Sequence, residues 1–332
     1  MNRKKLIAFS LSLAMTVVPV TPAAAAGAEQ NSEGLQNAVL DLGFENSLED
    51  SSGKGNNGTL SSGNAEYVDG VVGKALKMNG SSYVNLGTST DLQPENLTLS
   101  FWIRPDTAMT GEELISWNKN EWYTDGWYLS SENDNTPLTL SIGPAKTNGQ
   151  PYRVSVSGKR SDFFPAGEWT HIAVTYDKNS KEICFYRNGV KCSTVTTYGI
   201  SGESTGVLGS DASMEKSVGY NGPKYKGAYL KASLDEYQLY NDVATPEEVI
   251  ALYEESGQTF DRKAVAQADL DKISIPETTQ GNLSLPATGE SGSAISWSSD
   301  NEAVVAADGT VVRPGVGEKD VTVTLTAEAS YL

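Results

Sequence analysis

An aromatic and polar segment at residues 117–128 has the clearest chemical character in the sequence. It reads Trp-Asn-Lys-Asn-Glu-Trp-Tyr-Thr-Asp-Gly-Trp-Tyr. Sugars present apolar C–H faces rimmed by hydroxyl groups, so a sugar site needs exposed rings flanked by amides, carboxylates or cations. Trp122 and Tyr123 lie in a polar stretch that favours exposure, although a core position for Trp122 stays open. The residues predicted to bind carbohydrate are Trp117, Trp122, Tyr123, Asp125, Tyr152 and Arg153.

The carboxylate pair of a glycosidase is missing from the sequence. Retaining enzymes need two carboxylates about 5 to 5.5 Å apart, and alternate positions on a strand place side chains on one face. Glu132 and Asp134 come nearest, but Thr-Pro follows where another glutamate is needed. Asp235 and Glu236 are strand neighbours, which predicts opposite faces. The single histidine, His171, lies in a strand-like run and is interpreted as structural, so the sequence predicts no catalytic site.

The N-terminus and the charge indicate an exported protein. Three basic residues at positions 3–5 precede an apolar run at 6–20 and a small-residue stretch at 22–26. This pattern predicts a secretory signal peptide over residues 1–26, with no membrane span after its cleavage. The formal net charge is -17 for 332 residues, which disfavours binding to nucleic acid. We expect a secreted, extracellular protein, and attachment to the cell surface stays open.

Short apolar or alternating runs, separated by clusters of Gly, Asn, Asp and Ser, fill the chain from Ala38 to about Gly257. Many short strands at such spacing indicate an all-β sandwich. One helix signal stands near the end of this region. Thr245 is a capping residue, Pro246 suits the first helical position, and Glu248 completes a capping box.

The two cysteines, Cys184 and Cys192, flank a turn signal at Asn188-Gly189. A two-residue turn places the cysteines on opposite faces of the hairpin. A three-residue loop with a left-handed glycine sets them directly across from each other. Export favours oxidation. The pair therefore remains a candidate disulfide whose formation depends on the register of this hairpin.

Five ordered segments resemble the laminin-G-like, concanavalin A-like jelly rolls of secreted bacterial proteins. They lie at residues 44–56, 71–84, 99–105, 167–190 and 232–240. The resemblance implies a jelly-roll domain over residues 38–257, after a linker at 27–37, and it favours the tight turn at Asn188-Gly189. Function varies within this family, so the fold does not identify a ligand.

The resemblance also implies a structural calcium ion between the first loop and the closing strand of the domain. The matching ligands here are Glu45, Asp50 and Asp235, and their oxygens suit Ca²⁺. Another interpretation stays open. Asp50 then only organises its Ser-Ser-Gly turn, and Asp235 is solvated.

A second region follows a polar linker at residues 258–271. Alternating runs over residues 272–332 resemble the small immunoglobulin-like spacer of bacterial extracellular enzymes. That family usually has one more strand than this region supplies. We therefore expect a small, incomplete Ig-like sandwich and a native chain that continues further.

Together these features predict a non-catalytic carbohydrate-binding region of a secreted bacterial protein. The spacer-like second domain favours the N-terminal part of a larger glycoside hydrolase, with a catalytic domain beyond it. The expected partner is a polysaccharide or another glycan. The alternative is a surface adhesion or protein-binding module, since laminin-G-like domains also bind proteins.

Overall fold

The computed structural model describes residues 11–17, 35–36, 38–119, 125–144, 151–198, 213–220 and 229–332. The chain forms two compact units. The larger unit comprises Asn31–Phe260, and the smaller unit comprises Asp261–Leu332 together with Met1–Gln30. In the described part of the chain, no helix is both long and apolar enough to cross a membrane.

Strands make up most of both units. In chain order they are β1 (Leu11–Val17), β2 (Ala38–Leu42), β3 (Thr59–Leu60), β4 (Glu66–Asp69), β5 (Lys74–Asn79), β6 (Val84–Asn85), β7 (Leu97–Pro105), β8 (Glu113–Lys119), β9 (Gly126–Ser131), β10 (Thr139–Pro144), β11 (Pro151–Val156), β12 (Thr170–Tyr176), β13 (Ile183–Arg187), β14 (Val190–Lys191), β15 (Thr194–Tyr198), β16 (Ser217–Val218), β17 (Lys231–Tyr240), β18 (Ala294–Ser299) and β19 (Val323–Ser330). The helices are α1 (Arg160–Phe163), α2 (Pro246–Glu255), α3 (Arg262–Asp271) and a 3-10 turn at Thr90–Leu92.

The larger unit is an antiparallel sandwich of two sheets. Sheet I has the order β14-β13-β12-β7-β17-β5-β4, and β2 also pairs with β17. Sheet II has the order β15-β11-β10-β9-β8-β16-β6-β3. One apolar cluster contains residues of both sheets, including Phe101, Leu129, Leu140 and Val174, all fully buried. The core therefore lies between the sheets, and the predicted all-β sandwich is present.

Helix α2 covers the outer face of sheet I. Ile172 and Val174 of β12 belong to the main core, and the side chains between them point the other way because strand residues alternate. Ala173 accordingly packs in a separate cluster with Val249 of α2. The helix begins as predicted, because the Thr245 side chain accepts from the backbone N–H of Glu248 in a reciprocal capping box.

The hairpin between β13 and β14 forms with a two-residue turn. Arg187 pairs with Val190, and both turn residues have positive φ, 50° for Asn188 and 79° for Gly189. Cys192 donates its backbone N–H to the Phe185 carbonyl, whereas Cys184 lies one residue away on the other face. Both cysteines are free. The candidate disulfide between Cys184 and Cys192 is not formed, because this register points the two thiols to opposite sides of the sheet.

In the smaller unit, β19 lies between β18 and β1 in a three-stranded sheet. The apolar side chains of Leu283, Val305, Val323 and Leu325 form its core cluster. Strand β1 pairs in parallel with β19, from Leu11 opposite Val323 to Val17 opposite Ala329. These β1 residues fall in the predicted signal peptide, which stays a prediction.

Helix α3 occupies most of the segment that was expected to be a linker, residues 258–271. Asp261 caps it by accepting the backbone N–H of Ala264 at 3.0 Å. Ala266 and Leu270 are buried, so the helix has an apolar face as well as a polar one. The polar composition of the segment therefore reflects the exposed face of a packed helix.

Candidate functional site

Trp117, predicted to stack on a sugar, is buried. Only 1% of its surface is exposed, and its ring stacks on Tyr128 with the centroids 5.2 Å apart. The two residues are directly opposed in the pairing of β8 with β9, so each ring covers the other. Asp125 is exposed and immediately precedes β9. Trp122 and Tyr123 lie outside the described residues.

Tyr152 and Arg153 do not converge on one site. They are consecutive residues of β11, and strand alternation sends their side chains to opposite faces of sheet II. Tyr152 packs against the core between the sheets. Arg153 forms a largely buried ion pair with Glu132. The prediction that both side chains contribute to one carbohydrate site therefore does not agree with the geometry of this strand.

A cleft at one end of the sandwich brings other residues together. Its volume is about 310 Å³. It lies where β5 and β7 end and where β8 and β17 begin, so both sheets contribute to it. The described lining consists of Gly80, Thr107, Ala108, Thr110, Glu113, Tyr229 and Lys231. This mixture of a ring, hydroxyls, a carboxylate and an ammonium group is suited to hydrogen bonding of a polar ligand.

Tyr229 is held in the cleft wall by a stack of three tyrosines. Its ring lies 4.3 Å from that of Tyr220, nearly parallel at 10°. Tyr83 stacks against both rings, with its centroid 5.0 Å from that of Tyr220 and 6.5 Å from that of Tyr229. Tyr220 is buried, whereas Tyr83 and Tyr229 are partly exposed. The stack fixes the orientation of the Tyr229 ring, so little conformational entropy is lost when a ligand packs on it.

Glu113 is the one carboxylate of the described cleft lining. It is 6% exposed, and its Oε2 atom accepts the backbone N–H of Lys231 at 3.3 Å. Burial raises the pKa of Glu113, and hydrogen bonds from the backbone together with the charges of Arg160 and Lys231 oppose that rise. The Lys231 stem passes over Gly80, where an added Cβ would lie 2.5 Å from Lys231 Cε. Glycine at position 80 thus lets the lysine reach the cleft.

Sequence reasoning did not find this cleft. Glu113 lies more than a hundred residues before Tyr229 and Lys231, and the three share no local motif. A sequence signal did exist at the strand ends, because loops that connect the strands of a sandwich gather at its two ends.

The three predicted calcium ligands accept hydrogen bonds from the surrounding chain. Asp50 Oδ1 accepts the backbone N–H groups of Asp41 and Ser52, and its Oδ2 accepts from Ser52 Oγ and the Asn56 backbone. This is the turn-organising role given above as the alternative. Among the described residues, no group of three His, Cys, Asp or Glu side chains is placed to hold a metal ion.

Asp235 and Glu45 are likewise engaged with the backbone of one loop. Asp235 Oδ2 accepts the N–H groups of Val71 and Val72 at 2.7 and 3.0 Å. Glu45 Oε1 accepts the Lys74 N–H at 3.0 Å. Asp235 is fully buried, so it is not the solvated residue of the alternative interpretation. The carboxylates fasten this loop to the sheet, and calcium stays a prediction.

A bulge in β17 changes the expected geometry of Asp235 and Glu236. The pairing of β17 with β7 shifts between Asp235 and Gln238, and Glu236 has a φ of 45°. The strict alternation that predicted opposite faces is therefore broken. Burial raises the pKa of Glu236 to about 7, with the charges of Asp235, Asp41, Glu45 and Glu255 adding to the effect.

These features define an all-β sandwich of the lectin type with a polar cleft at one end. The chain belongs to the concanavalin A-like lectin/glucanases superfamily, whose laminin-G family pattern matches residues 78–250. Residues 263–331 match the family described as atrophied bacterial Ig domain. The predicted jelly roll followed by a partial bacterial Ig-like domain is confirmed.

Several solved structures are similar to the chain. Domain 4 of AbnA, a GH43 extracellular arabinanase from Geobacillus stearothermophilus solved with arabinotriose, is 23% identical, with 66% of this chain and 100% of that chain covered and a TM-score of 0.49. The binding domain of Paraclostridial Mosquitocidal Protein 1 is 22% identical, with 66% and 52% covered and a TM-score of 0.48. The binding domain of botulinum neurotoxin DC, in complex with SialylT, is 14% identical, with 67% and 52% covered and a TM-score of 0.48.

The chain thus spans about half the length of the two toxin binding domains. A search of curated proteins finds no match to it.

Proposed function

We propose that the larger unit is a non-catalytic carbohydrate-binding module and that the cleft lined by Tyr229 is its sugar site. The observation that carries this proposal is the cleft lining itself. One face of the Tyr229 ring stacks on Tyr220, while Tyr229 also lines the cleft beside Glu113 and Lys231. A sugar needs this combination of an apolar ring and hydrogen-bonding groups, because its own faces alternate between C–H and hydroxyl.

The charges of the cleft favour a neutral glycan. Glu113 brings a negative charge and Lys231 a positive one, and the two threonines at 107 and 110 bring hydroxyls. A sulfated or otherwise strongly anionic glycan would meet a protein of formal charge -17, which repels it at long range. The volume of about 310 Å³ suits one or two sugar residues of a chain that extends into solvent.

We propose binding without hydrolysis because the described lining of the cleft has a single carboxylate. Hydrolysis of a glycosidic bond with either stereochemical outcome uses two carboxyl groups. Glu113 also has its Oε2 atom committed to the Lys231 backbone. We propose further that the module belongs to a secreted protein and serves a larger glycoside hydrolase by holding it near its substrate.

The test is a screen of the chain against a glycan array, followed by titration of the best ligand into two variants. Tyr229→Ala removes the ring, and we expect about ten- to a hundredfold weaker binding from the lost apolar contact. Tyr229→Phe keeps the ring and its stack on Tyr220, so it is the matched control and should retain binding. Circular dichroism establishes that both variants are folded.

Two results would count against the proposed site. Unchanged affinity of Tyr229→Ala would move the sugar site elsewhere on the sandwich. No glycan bound by the folded chain would favour the adhesion or protein-binding alternative instead. Thermal unfolding with and without calcium tests the calcium prediction separately, because a bound ion raises the melting temperature whether or not a sugar is present.

A further inference from the structure

A second cavity lies between the outer face of sheet I and helix α2. Its volume is about 260 Å³. It is separate from the cleft of the proposed sugar site, and no residue is common to the two linings. Its described lining consists of Val72, Ser100, Trp102, His171, Glu236, Gln238, Leu252, Glu255 and Ser256. Strands β7, β12 and β17 form its floor, and the last turn of α2 forms one wall.

His171 in the cavity floor has an unused ring nitrogen. The side chain is 1% exposed. Its Nε2 atom lies 2.9 Å from Ser100 Oγ, whereas its Nδ1 atom has no hydrogen-bond partner among the described residues. Burial lowers the pKa of His171 to about 3, so the ring is neutral and offers one donor and one acceptor. An unpartnered polar atom at this depth costs free energy unless a ligand or water satisfies it.

The rest of the lining supplies hydrogen-bond acceptors and aromatic rings, without a compensating positive charge. Glu236 and Glu255 each bring a carboxylate, and no Lys or Arg is among the described lining residues. Trp102 lies 5.2 Å from the His171 ring and 5.5 Å from the Tyr253 ring. Carboxylates attract a cation, and aromatic rings add to that attraction through their quadrupoles.

We propose that this cavity binds a small primary ammonium ligand. The ammonium donates to Glu236 and to Nδ1 of His171. In this tautomer Nε2–H of His171 donates to the Ser100 hydroxyl oxygen, so that the unprotonated Nδ1 is the acceptor. The carbon part of the ligand lies against Trp102 and Leu252. A primary ammonium fits better than a quaternary one, because its three N–H groups can donate hydrogen bonds to the acceptors that line the cavity. An alkylamine and a 2-amino sugar carry the same group and are the two sources to distinguish.

The single histidine makes the test direct. The chain has one His, so its two ring nitrogens give the only imidazole signals in a nitrogen-15 NMR spectrum of histidine-labelled protein. The probes are n-butylammonium and glucosamine at pH 7, and n-butanol and glucose are their neutral counterparts. Glu236 is about half ionised at this pH in the free protein, and a bound ammonium favours its charged form. We expect the Nδ1 signal to shift in proportion to bound ammonium and to remain unchanged with the neutral compounds.

Variants separate a specific site from general attraction to an acidic surface. Glu236→Gln keeps the size of the side chain and removes its charge, and it should weaken ammonium binding about ten- to a hundredfold. Glu247→Gln removes a carboxylate from the first turn of α2, away from the cavity lining, and should bind as tightly as the parent chain.

Binding by either ammonium probe supports the proposal, and the tighter one identifies the source. An Nδ1 signal that neither ammonium shifts, that the neutral compounds shift equally, or that responds identically in the Glu236→Gln and parent chains would overturn it. The sugar site in the cleft does not share these residues, so failure here leaves the Tyr229 experiment unaffected.

Discussion

Burial of His171 should make the larger unit sensitive to acid. The His171 pKa is lowered to about 3 in the folded chain because burial disfavours the charged ring, whereas an exposed histidine titrates near 6.5. Between these values the unfolded chain binds more protons than the folded one, so stability falls as the pH is lowered. Above about pH 6.5, His171 makes no contribution to the pH dependence of stability. Between pH 7 and pH 4.5 its contribution amounts to about 2.5 kcal/mol of lost stability.

The assay is urea unfolding of the parent chain and His171→Gln at both pH values. Glutamine does not titrate, so the variant should lose about 2.5 kcal/mol less than the parent between pH 7 and pH 4.5, whatever its stability at pH 7. The carboxyl groups near this ring, Glu236 and Glu255, titrate in both proteins and largely cancel in the comparison. Equal pH dependence of the two proteins would refute the reasoning, as would a ring already protonated in the folded chain at pH 5.

Three further changes have outcomes set by local geometry. Gly189→Ala places a Cβ 2.8 Å from the Phe260 ring at a φ of 79°. The substitution should lower the free energy of unfolding in urea by about 1 to 3 kcal/mol. Gly167→Ala should lower it less, because Gly167 has the same φ but no atom lies within 4 Å of an added Cβ. Thr245→Ala should cost about 1 kcal/mol by removing the cap of α2, and Thr245→Ser should restore most of it. Residues 1–26 contain β1, which pairs with β19, and they are also the predicted signal peptide. A chain that begins at residue 27 should therefore keep the melting temperature of the smaller unit in calorimetry; a lowered temperature would mean that β1 belongs to the folded protein.

Local signals in the sequence predicted the elements that depend on neighbouring residues. The Asn188-Gly189 turn adopts two positive φ angles, which only a few residue types accept without strain. The capping box of α2 needs residues three positions apart, and it forms as the sequence indicates. Four to six neighbouring residues determine the conformation of each of these features, so tertiary contacts have little effect on it.

Helix α3 shows what composition alone misses. The segment is polar, yet Ala266 and Leu270 are four residues apart and buried. Asp261 before the helix is also a recognised capping residue. These two signals together would have predicted the helix, whereas the high charge of Arg262–Asp271 suggested a linker.

Both candidate sites depend on places where regular strand patterns stop. The cleft gathers Glu113 and Lys231 at the first residues of β8 and β17, and the cavity receives Glu236 because a bulge turns it out of alternation. A strand pattern in the sequence assigns residues alternately to the two faces of the sheet. This assignment fails at a bulge or at the end of a strand. Trp117 also follows a register shift, between Leu114 and Ser116, but its ring is used for packing on Tyr128. In this sandwich the regular positions build the core, and the departures from regularity leave polar groups available for ligands.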